Sequence, residues 1–222
     1  MKNSKLLIFG TGILSEIVYH YFDNFSSYSI EGFVVDKEFI RGESFMGAPV
    51  YDSITMERDF PSKEFEVFVA IGYSKMNITR QKKYVEMKSK GYRLPNFIAP
   101  DLSVANNVTF GDNNFILEKN NIQPFVSIGN NNIFWSGNHI GHHSKIGSNN
   151  FFSSHVVVSS RVMISENCFF GVNSTIVDGI TINSHNLIGA NTLILKDTGP
   201  YEVYSEKGSE KSRVPSNRIS FR

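Results

Sequence analysis

Four of the six histidines in the 222-residue chain fall within seventeen residues. They are His139, His142, His143 and His155. Imidazole has an ordinary pKa near neutrality, so it serves both as a general base and as a common metal ligand. A single histidine is more often a surface residue than a catalyst, whereas a cluster of four favours a role in proton transfer or metal binding.

A second group of candidates lies near the N-terminus, where an apolar run ends in a glycine turn. The run Lys5 to Phe9 is followed by Gly10, Thr11 and Gly12, and then by a pattern typical of a helix. Small residues there let the amides at a helix start approach a phosphate. The signal is weak because the third glycine of a dinucleotide fingerprint is missing, and a purely structural strand-to-helix turn remains an equal alternative.

Two further apolar runs end in residues that would share an edge with this turn. Ile30 to Val35 ends in Asp36, and Phe65 to Ile71 ends in Gly72 and Tyr73. A charged helical segment, Ile78 to Gly91, follows the third run. Strands alternating with helices predict a small, mostly parallel α/β sheet, and Asp36, Gly72 and Tyr73 join the glycine turn as candidate substrate-binding residues.

From Val104 onward, every sixth residue is large and apolar, sixteen times without a break. Neither the 3.6-residue period of a helix nor the two-residue period of a strand explains this spacing. It predicts a solenoid of short strands with three hexads per coil, in which residues eighteen apart stack. The series is Val104, Phe110, Ile116, Ile122, Ile128, Phe134, Ile140, Ile146, Phe152, Val158, Ile164, Phe170, Ile176, Ile182, Ile188 and Ile194.

The repeat assigns each residue a place on the coil. We expect the two residues after each large one to form a corner, which puts His142 on a corner, His143 outward on the next strand, and His139 and His155 on one face. An inward column of amides, completed by Cys168, is interpreted as a structural ladder. It consists of Asn114, Asn132, Asn150 and Asn186.

One outward column is apolar at every rung. An uninterrupted apolar stripe marks a contact surface. Either another copy of the chain packs against it, or the N-terminal domain or the C-terminal tail covers it. The stripe is Phe115, Ile133, Phe151, Phe169 and Leu187.

Composition excludes several classes of protein. With 22 Lys and Arg against 21 Asp and Glu, the net charge of +1 gives no basic footprint for nucleic acid. The single cysteine, Cys168, rules out an internal disulfide, and the sequence has no apolar run long enough to cross a membrane. We expect a cytoplasmic protein.

The hexads resemble the left-handed parallel β-helix of hexapeptide-repeat sugar acyltransferases. Together with the α/β segment ahead of them, the chain up to about residue 198 is similar to the sialic acid O-acetyltransferase-like and bacillosamine N-acetyltransferase-like proteins. The resemblance implies a small Rossmann-like α/β domain at 1–99 that binds a nucleotide-linked sugar. A left-handed β-helix with a C-terminal tail would follow at 100–222. The resemblance further implies a homotrimer, and we expect the apolar stripe to form its seam.

The resemblance also implies an activity and roles for the histidines. It implies transfer of an acetyl group from acetyl coenzyme A to the amino group of a nucleotide-linked deoxyamino sugar, for surface polysaccharide synthesis. His142 matches the general base of the family motif, and His143 stands where the family usually has a carboxylate. The family's second histidine, nine residues after the base, is replaced by Phe151, so His155 becomes the nearest candidate, with His139 as a substrate-binding residue.

Coenzyme A in this family lies along the groove between neighbouring solenoids. The matching positions are Gly171, Gly189, Ala190 and Lys196, although each glycine can equally serve its own corner. The chain lacks the Gly-x-Pro-Ala-Lys segment that often ends the family's last coil.

Three alternatives stay open. The first is O-acetylation of a sugar by the same base, and the second is a noncatalytic sugar-nucleotide-binding scaffold. The third, a metal-dependent hydratase with the same solenoid, is disfavoured because no histidine lies between His20 and His139 to supply the ligand from an earlier coil. We therefore expect no metal.

Overall fold

The structure, a computed structural model, describes residues 4–102 and 104–208. Its N-terminal part is a five-stranded sheet with the strand order β3-β4-β2-β1-β5. The strands β1, β2, β4 and β5 run parallel, and the short β3 pairs antiparallel with β4. The strands are β1 Ser4–Phe9, β2 Tyr28–Val35, β3 Ser44–Phe45, β4 Ala48–Asp52 and β5 Phe65–Val69.

Three α-helices connect and cover these strands in the described residues. They are α1 Ile13–Phe25, α2 Met56–Asp59 and α3 Ile78–Ser89, with a 3₁₀ turn at Lys37–Phe39. Helix α1 buries Val18 and Phe22 against the sheet because its apolar residues recur on one face. The predicted alternation of strands and helices is confirmed.

A parallel β-helix follows, with two-residue strands on three faces. The docked face comprises β6 Phe97–Ile98, β8 Phe115–Ile116, β11 Ile133–Phe134, β14 Phe151–Phe152, β17 Phe169–Phe170, β20 Leu187–Ile188 and β22 Val203–Tyr204. The open face comprises β9 Asn121–Ile122, β12 His139–Ile140, β15 Val157–Val158, β18 Thr175–Ile176 and β21 Leu193–Ile194. The third face comprises β7 Thr109–Phe110, β10 Ser127–Ile128, β13 Lys145–Ile146, β16 Met163–Ile164 and β19 Thr181–Ile182.

Three edges join these faces, and each is named after one of its residues. The Trp135 edge, between the docked and open faces, contains 117–119, 135–137, 153–155, 171–173 and 189–191. The His142 edge, between the open and third faces, contains 123–125, 141–143, 159–161, 177–179 and 195–197. The Asn131 edge, between the third and docked faces, contains 111–113, 129–131, 147–149, 165–167 and 183–185.

The interior of the solenoid follows the predicted hexads. Phe134, Phe152 and Phe170 stack face to face, with ring centroids 4.3 and 4.5 Å apart and rings within 5° of parallel. The amide ladder is confirmed, since Asn132 and Asn150 each donate a backbone N–H to the side-chain oxygen one coil earlier, at 2.9 and 2.8 Å. These bonds satisfy polar groups that would otherwise be buried unpaired.

The apolar stripe has a different partner from the one predicted. Its first rungs are buried under the α/β domain, where Tyr21, Phe68 and Phe97 surround Phe115 at centroid distances of 5.4–5.8 Å. Phe115 is fully buried within the single chain. The prediction that this stripe forms a trimer seam is therefore wrong over these rungs, because the chain's own first domain already removes the stripe from water.

A buried arginine joins the two parts of the chain. Arg80 of α3 is fully buried and donates to the backbone oxygens of Asn131, Asn149 and Asn150 at 3.0–3.2 Å. Its other terminal nitrogen donates to the carbonyl of Gly72 at 3.1 Å. Burial lowers the pKa of Arg80 to about 9, so the guanidinium stays charged at neutral pH.

None of the helices in the described ranges is long and apolar enough to cross a membrane.

Candidate functional site

A cavity of about 650 Å³ lies where the α/β domain meets the solenoid. Two solenoid residues, Trp135 and Phe151, form one wall of it. All six substrate-binding candidates of the first domain line the remainder, which confirms that they lie together. They are Gly10, Thr11, Gly12, Asp36, Gly72 and Tyr73.

The glycine turn is shaped by close backbone approach. Gly10 has a φ of +127°, and a Cβ there would lie 2.8 Å from Ser15 Oγ and 2.9 Å from the carbonyl oxygen of Ala70. Gly12 caps the start of α1 with extended backbone and has open space around it. The amides of Ser15 and Glu16 donate to the carbonyl of Gly12, whereas those of Ile13 and Leu14 precede the first turn's hydrogen bonds, so this end of the cavity suits an anion.

Asp36 closes another side of the cavity and is held in place. Its Oδ1 accepts hydrogen bonds from Ser53 Oγ and Lys83 Nζ, both at 2.8 Å. Burial alone would raise the pKa of Asp36, but the hydrogen bonds from Lys83 and Ser53 outweigh it, so the pKa lies below its usual value. Asp36 is therefore an anion at neutral pH, available to accept from a ligand's hydroxyl or amide groups.

Tyr73 forms an aromatic wall with the solenoid. Its ring lies 5.0 Å from the rings of both Phe151 and Phe169. The turn that follows contains three consecutive non-glycine residues with positive φ, between 50° and 66°, at positions 75–77. Such backbone is strained, and it persists here because Asn77 is buried and donates to the carbonyl of Cys168 at 3.1 Å.

His142 and His143 both lie at the His142 edge. His143 has a φ of +60° and occupies the turn itself, so the prediction that it faces outward on the next strand is wrong. Three residues, rather than two, make each corner, because the third takes the left-handed conformation that reverses the chain. The two histidine rings touch, with Nδ1 of each 3.0 Å apart.

His139 and His155 are not on one face, contrary to the sequence prediction. His139 lies on strand β12 of the open face, paired with Val157. His155 is a corner residue of the Trp135 edge with a φ of +61°, stacked beside Gly137 of the preceding coil. Of the four clustered histidines, His155 is therefore the one on the edge that borders the cavity.

The four candidates for holding coenzyme A divide between two edges. Gly171, Gly189 and Ala190 lie at the Trp135 edge, whereas Lys196 is exposed at the His142 edge. A Cβ on Gly171 would lie 2.5 Å from the backbone nitrogen of Ala190, so stacking of the coils already requires that glycine. Ala190 is exposed and, with Lys196, is free to contact a ligand.

The described chain does not bring the cavity and His142 together. The solenoid residues that line the cavity lie on the docked face and at the Trp135 edge. The open face separates the Trp135 edge from the edge that contains His142. Within the described residues, no three His, Cys, Asp or Glu side chains are grouped so as to hold a metal ion.

Among the lining residues that the sequence did not predict, Lys83 and Trp135 stand out. Lys83 lies in the charged helical segment, and only the fold brings it to Asp36. Trp135 did carry a signal, because it is the only tryptophan and occupies a corner position where six other hexads have glycine.

Solved structures with the same fold exist. PerB from Caulobacter crescentus, solved in complex with CoA and GDP-perosamine, matches with a TM-score of 0.77 at 23% identity, over 89% of this chain and 91% of that one. The acetyltransferase domain of PglB from Neisseria gonorrhoeae matches with a TM-score of 0.80 at 21% identity, over 90% and 96%. WeeI from Acinetobacter baumannii matches with a TM-score of 0.70 at 14% identity, over 89% and 94%.

These matches confirm the predicted class of fold. The chain is a small α/β domain followed by a left-handed β-helix of hexapeptide repeats, as in PerB. No family model matches the chain, and no curated protein does.

Proposed function

We propose that the protein is an acyltransferase that moves an acetyl group from acetyl coenzyme A to the amino group of a nucleotide-linked deoxyamino sugar. The observation that carries the proposal is the cavity of about 650 Å³, which joins the glycine turn of the α/β domain to an aromatic wall of the solenoid. Its volume is that of a small-molecule site. The PerB structure, which has the same fold, holds CoA and GDP-perosamine.

The two ends of the cavity suit the two ends of such a substrate. The diphosphate would lie at Gly10 to Gly12, where α1 begins and positive potential is concentrated. Asp36 would accept hydrogen bonds from the ribose or the base. The sugar would then lie toward Phe151 and Trp135, at the solenoid wall.

His142 is proposed as the general base. The lone pair of the neutral amine attacks the thioester carbonyl, and Nε2 of His142 takes the proton that the attacking nitrogen gives up. The new C–N bond forms, the C–S bond breaks, and coenzyme A leaves as the thiolate, to which the protonated His142 returns the proton. His155, at the edge of the cavity, is proposed as a hydrogen-bonding residue for the acyl carbonyl or the acceptor, and His139 for the substrate.

A second copy of the chain would complete the site, in a homotrimer. The cavity and His142 lie on different edges of one solenoid, so a groove between two copies can present the Trp135 edge of one and the His142 edge of the other. The exposed residues Ala190 and Lys196 lie on these same two edges. Acetyl coenzyme A in that groove would contact Ala190 of one copy and Lys196 of its neighbour, beside Gly171 and Gly189.

The proposed setting is surface polysaccharide or glycan synthesis in the cytosol. The lone cysteine, Cys168, is a buried free thiol, which is consistent with a reducing compartment.

Turnover of acetyl coenzyme A with a panel of nucleotide-linked amino sugars and plain sugars tests the reaction. We expect His142→Ala to lower kcat by about 10²- to 10⁴-fold. His155→Ala should cost less, and His185→Ala almost nothing. Raising the pH should rescue the His142 variant with an amine acceptor, because an amine becomes neutral near pH 8 and a hydroxyl does not.

Each outcome of the panel separates the alternatives. Turnover only with sugar hydroxyls would replace N-acetylation by O-acetylation. Binding of nucleotide sugars without turnover would indicate a scaffold. Wild-type activity of His142→Ala would overturn its assignment as the base and direct attention to His155 or His139.

Mixed oligomers test the shared site directly. Gly10→Val should destroy the cavity and His142→Ala the base, so each variant alone should be nearly inactive. If the two halves come from different copies, coexpressing the variants should restore part of the activity. Absence of rescue in verified mixed oligomers would contradict a shared site.

A further inference from the structure

The imidazole of His142 has another imidazole as its partner. His142 Nδ1 lies 3.0 Å from His143 Nδ1, and the two rings are perpendicular, at 88°. This is hydrogen-bonding distance for two ring nitrogens, and it requires one proton between them. His142 Nε2 is left on the opposite side of the ring from this bond.

Neighbouring coils hold both histidines in this arrangement. His143 is fixed by the left-handed corner, and its ring stacks on Phe125 of the preceding coil at 4.6 Å and 28°. The backbone N–H of His142 donates to Gln123 Oε1 at 2.9 Å, and its carbonyl accepts from the N–H of Arg161 at 2.9 Å. The pair therefore has support from the coil on either side.

Charged groups near the His142–His143 pair do not take the place of His143 as the hydrogen-bond partner of His142 Nδ1 in the described residues. On the following coil, Arg161 is bonded to Asp178, so that carboxylate is already engaged. Lys145 lies on strand β13, directly after the pair, and is exposed. Among the described side chains with a hydrogen bond to His142, His143 is the one that can set which ring nitrogen carries the proton.

We propose that His143 is a positioning residue that orients His142 and selects its tautomer, in the place where a carboxylate would otherwise stand. The proposal rests on the proposed function of His142 as a base. When His142 donates from Nδ1 to His143 Nδ1, its Nε2 carries a free lone pair and can accept the substrate's proton. After that transfer the Nδ1–H bond persists, and the positive charge is shared by the pair.

The hydrogen bond between the two rings constrains their protonation. It needs one Nδ1–H and one Nδ1 lone pair, so protons on both Nδ1 atoms would place two N–H groups against each other and break it. A carboxylate at position 143 would act differently, because its fixed negative charge favours the imidazolium form of His142.

Three variants test the proposal. His143→Phe keeps the stack on Phe125 but removes the hydrogen bond, and it should lower kcat by about 10- to 10²-fold with little change in KM. His143→Glu should retain most of the activity and move the acid limb of the kcat/KM profile to higher pH. The matched control is His185→Phe, because His185 is also a left-handed corner residue, with its ring stacked on Tyr201 at 4.6 Å.

NMR correlation of the histidine ring nitrogens with the ring protons reports the tautomer and does not depend on activity. In the wild-type protein, neutral His142 should carry its proton on Nδ1, whereas in His143→Phe it should be a mixture of the two tautomers. A mixture in the wild type, or an unchanged pH profile in His143→Glu, would overturn the proposal even if His142→Ala is inactive. A fixed Nδ1–H tautomer together with full activity of His142→Ala would instead overturn the proposed base.

Discussion

Arg80 provides the sharpest test of how the two parts of the chain are joined. Its guanidinium makes six hydrogen bonds of 3.0–3.4 Å, and none of the six acceptors is a carboxylate. Three of the acceptors are solenoid carbonyls, those of Asn131 and Asn149 at the Asn131 edge and that of Asn150 directly after it. The other three, in the α/β domain, are the carbonyls of Ile71 and Gly72 and the side chain of Asn77.

Replacing Arg80 by methionine would leave the buried carbonyls of Asn131 and Asn149 without this donor, whereas the carbonyl of Asn150 also accepts from the N–H of Ile133. Gross losses of about 1.5–3 kcal/mol per charged hydrogen bond are offset by the large cost of burying the guanidinium. The net destabilisation should be about 3–5 kcal/mol, because each buried acceptor left unsatisfied costs about 1–3 kcal/mol and more than one is left. For a chain of this size, that corresponds to a fall in Tm of roughly 6–20 °C.

Thermal and urea unfolding at one protein concentration measure this effect. Arg80→Lys keeps the charge but has only three donors, so its stability should fall between that of the wild type and that of Arg80→Met. The control is Arg58→Met, because Arg58 is exposed and pairs only with its neighbour Asp59. Wild-type stability of Arg80→Met would refute the role of Arg80 in joining the α/β domain to the solenoid. Equal losses of stability in the Arg80 and Arg58 variants would refute it as well.

Two further predictions concern the cavity. Gly10→Ala should lower Tm, because its Cβ would lie 2.8 Å from Ser15 Oγ at a φ of +127°, whereas a Cβ at Gly12 meets no protein atom within 4 Å and Gly12→Ala should leave Tm unchanged; thermal unfolding compares the two variants, and equal values of Tm would contradict the geometry. Asp36→Asn should cost about 1 kcal/mol of unfolding free energy at neutral pH, since Asp36 loses its charge-assisted bond from Lys83. Because the pKa of Asp36 is lower in the folded protein, the stabilisation by its carboxylate is fully present above the unfolded-state pKa of about 3.9. That stabilisation is lost as the pH falls through the lower pKa of the folded state. Unfolding curves of the two proteins should therefore converge below about pH 4, and a constant difference down to pH 2 would argue against the pairing.

The sequence predicted the solenoid well because its period is a direct consequence of coil geometry. Each large residue recurs at six, and the inward ladder of Asn132 and Asn150 follows from the same count. The glycine turn and Asp36 were also predictable, since the carboxyl ends of parallel strands meet at one edge. These inferences need only local spacing.

What failed depended on contacts between distant segments. The stripe containing Phe115 indicates an apolar surface, but its pattern does not show what covers that surface. A neighbouring copy and the chain's own α/β domain would give the same pattern, and the α/β domain is the one that buries Phe115. The burial of Arg80 was not predictable from the charged helical segment that contains it, because most of its acceptors are backbone oxygens, which leave no sequence signal. The predicted position of His143 was wrong because the corner contains three residues and not two, and hydrophobic periodicity does not show that difference.

The coils of the solenoid stack at a fixed spacing. Residues eighteen apart in the sequence lie one strand spacing apart, which is about 4.8 Å. His142 and Lys196 lie on the same edge and three coils apart, so roughly 14 Å separates them. Point substitutions cannot change that span gradually, since only the gain or loss of a whole coil alters it. Under the proposed function, in which both residues contact bound ligand, the number of coils between them would set the length of that ligand in discrete steps.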